Sequence, residues 1–79
     1  MNKETQQKIS NAASRASIGK HFGISGQAVG KWIYKNGIPQ KRIIPLCQLL
    51  GWVVNRWERK GVAVLQVGGG RALYNFHQR

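Results

Sequence analysis

The sequence predicts a mainly α-helical fold, a small domain of four to five short helices built around a helix-turn-helix, and three observations carry that expectation. Between Arg15 and Tyr34, apolar residues recur at helical spacing on both sides of one glycine, Gly23. Helix-starting and helix-ending residues punctuate the chain at Ser14, Ser25, Gly37 and Gly51. The 79 residues carry 13 Lys and Arg against 2 acidic residues, a formal net charge of +11. A chain so small makes one domain, and one so basic repels itself unless it meets a polyanion: DNA, RNA or an anionic membrane.

The elements follow in order. Asn2 or Thr5 can cap a first helix through KETQQKISNAA, where Ile9, Ala12, Ala13 and Ala16 make a narrow packing face and Glu4 suits the positive end of the helix dipole. Ser14 caps a second helix bearing Ala16, Ile18, Gly19 and Phe22, which Gly23 ends by taking a positive φ. Gly19 is small where two helices must approach closely. Ser25 then caps a third helix, whose Ala28, Val29, Trp32 and Ile33 form an apolar stripe and leave Gln27, Gly30, Lys31 and Tyr34 on the other faces. Trp32 continues that stripe and is expected in the core, with Val29 under the preceding helix.

Asn36-Gly37 reads as a turn, and Pro39 holds Ile38 extended. Pro39 suits the first position of a fourth helix, QKRIIPLCQLL, ended by Gly51; Pro45 inside it implies a kink, or a start near Lys41. Ile43, Leu46, Cys47 and Leu50 face inward. Trp52 to Val54 make an apolar connection, and Asn55 with Glu58 has the spacing of a capping box, predicting a last helical turn, RWERK, stopped by Gly61. Residues 1–60 are thus the expected helix-turn-helix domain and 61–79 a tail. In the tail, β-prone Val62 to Val67, a floppy triple glycine and ALYNF admit either a dimerising strand or hairpin, or a disordered segment.

A helix-turn-helix lays its first helix across the DNA backbone and its second in the major groove. Ser25, Gly26 and Gln27 open that second helix and point at base edges. The Gln27 amide matches adenine N6 and N7, Lys31 reaches guanine or a phosphate, and Gly30 allows close backbone approach or room for a thymine methyl. Arg15, Lys20, Lys35, Lys41 and Arg42, at helix ends and loops, are placed to hold phosphates.

Other chemistries find little to work with. Glu4 and Glu58 are the only carboxylates, each explained by a helix terminus, and His21 and His77 lack partners at motif spacing, so no enzyme, cofactor, metal or small-molecule substrate is expected. The single cysteine, Cys47, excludes an internal disulfide or a multi-cysteine zinc site and reads as a buried apolar thiol. No apolar run nears the ~20 residues of a membrane span, and MNKETQQKIS lacks the apolar segment of a signal peptide, so a cytoplasmic location is expected.

The run Ile24 to Trp32, ISGQAVGKW, followed by Gly37-Ile38-Pro39 and Arg42, resembles the bacteriophage Cro-type repressors and their prophage YdaS-like relatives, over Ile9 to Arg59. The resemblance implies a mostly helical Cro or repressor (lambda repressor-like) fold, a double-stranded DNA operator as partner, binding as a homodimer, and transcriptional regulation. Gly19 stands where that family usually has alanine, and Gly30 where a polar residue is common; each weakens a helix by up to ~1 kcal/mol. Pro45 is also unusual, and nothing after Arg59 matches.

One recognition helix reads only a few base pairs, so a two-fold dimer is expected. Trp52, Val54 and Trp57 are the candidate interface, unless Trp52 and Val54 close the monomer's own core. Two rival functions remain. One is a basic single-stranded RNA or membrane-surface protein using Trp52, Trp57, Tyr74 and Phe76. The other is a toxin-antitoxin interaction module.

Overall fold

A computed structural model describes residues 1–77; Gln78 and Arg79, the last two of the expected tail, lie outside the described residues. Helices come first: α1 (Lys3–Ala12), α2 (Arg15–Phe22), α3 (Gly26–Lys31) with a π-helical turn continuing it over Trp32–Asn36, and α4 (Gln40–Leu50). Strands β1 (Val53–Arg59), β2 (Val62–Val67) and β3 (Gly70–Asn75) follow as one antiparallel sheet in sequential order. The fold is therefore α+β, which corrects the mainly α-helical expectation.

The correction begins at Asn55 and Glu58. Their capping-box spacing is a local signal, and it loses to pairing with β2, which sets Val54 opposite Leu65 and Trp57 opposite Ala63. Glu58 instead accepts from Arg56 at 2.7 Å. Two register shifts in β1, between Val54 and Arg56 and between Trp57 and Arg59, break the alternation that would have announced a strand. The glycine triplet is likewise tight. Gly68 takes φ 62°, and Gly68-Gly69 is the whole connection between paired Val67 and Gly70.

Caps fall where side-chain chemistry puts them. Asn2 Oδ1 accepts from the Thr5 amide at 2.8 Å, Ser14 from that of Ser17 at 3.1 Å, and Ser25 from that of Ala28 at 3.1 Å. After α2, Gly23 sits at φ 72°; its N–H donates to the Lys20 carbonyl and that of Ile24 to the Gly19 carbonyl, the paired bonds of a Schellman turn. Gly51 closes α4 the same way, with Trp52 N–H on the Cys47 carbonyl. Pro39 is extended and precedes α4, and Pro45 lies inside a helix continuous from Gln40 to Leu50.

One core joins both halves. Ile9, Ile18, Val29, Ile33, Ile43 and Leu46 from the helices meet Leu65, Tyr74 and Phe76 from the far end of the chain. Backbone bonds clamp the join: Ile38 N–H donates to the Phe76 carbonyl and Phe76 N–H to the Gly61 carbonyl, each at 2.8 Å. The buried Thr5 hydroxyl accepts from the Asn75 amide at 3.3 Å, tying α1 to β3. Trp32 is only half-buried and packs edge-on against Phe22, so it lines the core rather than filling it. Among the described residues, no helix is long and apolar enough to cross a membrane.

Cys47 is 1% exposed, and desolvation pushes its thiol up from 9.0 to about 11. An unfolded chain sheds that proton first. Stability from this residue is therefore complete below pH 9.0 and falls as pH rises towards 11. Urea titrations at pH 8 and pH 10.5 should show a larger loss for the native protein than for Cys47→Ala, whose remaining groups titrate alike; equal losses would contradict a buried thiol.

Candidate nucleic-acid interface

The second motif helix projects because of the turn before it. Gly19 lets α2 lie directly on the Ile24-Ser25 backbone: a Cβ there would stand 2.5 Å from the Ile24 carbonyl oxygen. Gly26, half-buried, faces the backbone of Ala16 in ordinary contact. With Val29 and Ile33 buried beneath, the opposite side of the helix exposes Gln27, Lys31 and Tyr34, with buried Gly30 among them, at the 0, 3, 4, 7 spacing of one helical face.

That face borders a shallow depression of about 370 Å³, lined by Arg15, Gln27, Gly30, Lys31, Tyr34 and Lys35. Three cations converge there. The chain's two carboxylates lie elsewhere, Glu4 in the first turn of α1 and Glu58 on β1 with Arg56. An open, concave, purely cationic surface holding one amide and one phenol suits a polyanion with hydrogen-bonding edges.

Of the ten residues expected to meet DNA, five line the depression: Arg15, Gln27, Gly30, Lys31 and Lys35. Ser25 is exposed at the helix start with its oxygen engaged in capping. Gly30 is buried rather than open, with Arg15 across it. Lys20, Lys41 and Arg42 lie outside the depression. Lys20 is exposed in the last turn of α2, Lys41 is exposed on α4, and Arg42 stacks over Phe22 at 5.5 Å from the ring centre. A cation held on an aromatic face is positioned as well as charged.

Tyr34 was not singled out by sequence reasoning. Half-exposed, it sits in the π-helical turn, its hydroxyl 3.4 Å from that of Ser10, while Gln6 Nε2 donates to the neighbouring Ile33 carbonyl at 3.1 Å. α1 thus steadies the far end of the interface. The signal was present in the spacing from Gln27.

The other candidate residues divide. Trp52 is 8% exposed, its ring tilted against Tyr74 at 5.1 Å, and Phe76 is fully buried. Val54 is half-buried, whereas Trp57 is 37% and Val53 58% exposed. Between α4 and β1 runs a groove of about 450 Å³ lined chiefly by Ile44, Trp52, Val53, Val54 and Trp57. Among the described residues, no three His, Cys, Asp or Glu side chains come together to hold a metal. No family model, curated protein or solved structure matches this chain.

Proposed function

We propose that the protein is a sequence-specific double-stranded DNA-binding regulator of the Cro type, acting in a bacterial cytoplasm as a dimer on a palindromic operator. The observation that carries this reading is the carboxylate-free depression along α3, where Gln27 stands among Arg15, Lys31 and Lys35. The cations supply salt-dependent attraction to phosphates, and the Gln27 amide supplies the paired donor and acceptor that adenine's groove edge requires. Lys20 and Lys41, outside the depression, extend the charge along the flanking backbone. Burial of Trp52, Tyr74 and Phe76 leaves Trp57 alone of these four aromatics free to stack on a single strand, which favours duplex over single-stranded RNA.

A single α3 spans too few base pairs for a genomic search, so two copies would read half-sites ~34 Å apart. Their contact is assigned to the α4-β1 groove, with exposed Trp57, Val53 and Ile44 as its apolar surface. Trp52 serves the monomer's own core instead.

Selection of sites from random duplexes, then titration of the winner against scrambled DNA, tests the reading. Gln27→Ala should relax preference at one base pair by ~1–3 kcal/mol and leave nonspecific binding intact. Lys35→Ala should weaken both duplexes alike and reduce the salt slope by about one. Equal loss on both duplexes for Gln27→Ala would remove its assigned role. One protein per selected duplex at saturation would refute the dimer.

A further inference from the structure

Two choices in this chain are locally unfavourable, and they meet. Arg15 is the first residue of α2, where the helix dipole is positive, and no acidic residue in that turn offsets it. Gly30 sits inside α3, where glycine weakens the helix. Gly19 and Gly23 have structural reasons, a close backbone approach and a left-handed turn; Gly30 has neither. A Cβ at Gly30 would meet only the Arg15 side chain, Nη1 at 3.1 Å and Cδ at 3.6 Å. Local rules broken together, with no gain to the fold, mark a functional contact.

The geometry fits that mark. Gln27, Gly30, Lys31 and Tyr34 make the outward face of the helix, and the missing side chain at Gly30 leaves a notch in the middle of it. Arg15 reaches over from α2 and lies in the notch, beside buried Gly30. A guanidinium held there stands on the base-reading face between Gln27 and Lys31, rather than at the flank of the motif where phosphates pass.

We propose that Arg15, lodged in the Gly30 notch, is a base-reading residue that recognises one guanine through its O6 and N7, with Gly30 as the residue that admits it. This rests on the duplex-binding reading above. The planar fork of Arg15 offers two parallel N–H donors, matched to the two acceptors of guanine in the major groove, and lysine in its place would carry the same charge without the fork.

Site selection with four proteins tests it: the native chain, Arg15→Lys, Gly30→Leu and the double variant. Arg15→Lys should keep the salt slope and lose roughly 5- to 150-fold discrimination for guanine at one position per half-site. Gly30→Leu, which removes a helix-weakening glycine and fills the notch with a branched side chain where Arg15 Nη1 and Cδ already stand 3.1 and 3.6 Å from a Cβ, should lose preference at that same position by displacing Arg15, and the double variant should lose no more than either single one. An unchanged guanine preference in Arg15→Lys would make Arg15 a phosphate clamp and overturn the proposal while leaving duplex binding standing. Additive losses, or losses at different positions, would also overturn it, by uncoupling the pair. A native chain that selects no duplex sequence would overturn both this proposal and the reading beneath it.

Discussion

Phe76→Ala should unfold the helices along with the sheet. The side chain is fully buried, stacks with Tyr74 at 6.1 Å, and belongs to the residue just past β3 whose backbone is clamped by Ile38 and Gly61. Truncating a buried phenylalanine costs ~3–5 kcal/mol, because apolar contact is lost and a cavity stays behind. A domain of this length holds a total of ~4–12 kcal/mol, so one substitution takes a large share of it. Urea titrations followed by far-ultraviolet circular dichroism should show the helical signal collapsing at a much lower midpoint, in one transition. A helical signal surviving loss of the sheet would mean that residues 1–60 fold alone. The same packing bears on assembly: a chain cut after Lys60 would lose Leu65, Tyr74 and Phe76 from its core, so the dimer is better tested on the whole chain with Trp57→Asp at the exposed groove.

Gly19→Ala should lower stability by ~1–3 kcal/mol, although alanine is the better helix former by up to ~1 kcal/mol. The added methyl would stand 2.5 Å from the Ile24 oxygen and 3.1 Å from the Ser25 carbonyl carbon, both backbone atoms that cannot swing aside. α3 would have to move off α2, disturbing the Ile24-to-Gly19 bond of the turn and lowering the melting temperature by several degrees. A variant that melts higher than the native chain would show that the approach is not fixed. Gly19 therefore does more than tolerate the motif: it sets how near α3 rides to its support.

The legible parts of the molecule were those fixed by neighbours in sequence. Asn2, Ser14 and Ser25 cap with their own side chains, Gly23 and Gly51 turn through positive φ, and the Ile18, Val29, Ile33 and Leu46 positions follow helical spacing into the core. The sheet was not legible, because its evidence is nonlocal. β1 is exposed along nearly its whole length and interrupted by two register shifts, so no alternation marks it, and only pairing with β2 makes it a strand. At the candidate interface, helical spacing found the outward residues Gln27 and Lys31, but it gave Gly30 no neighbour. What fills the notch comes from another helix, fifteen positions earlier, and such a contact leaves no trace in periodicity.

The tie between Thr5 and Asn75 also sets a clock on the molecule's birth. The two residues are 70 positions apart, and a ribosome adding ~5–20 residues per second takes ~4–14 s to deliver the second after the first. Until that tie closes, Ile9, Ile18 and Leu46 are made without the Tyr74 and Phe76 side chains that share their core. The helices therefore lack that part of their core until synthesis has passed Phe76, whose backbone pairs with Ile38 and Gly61. A half-made copy thus holds its cationic residues but not the whole core beneath them.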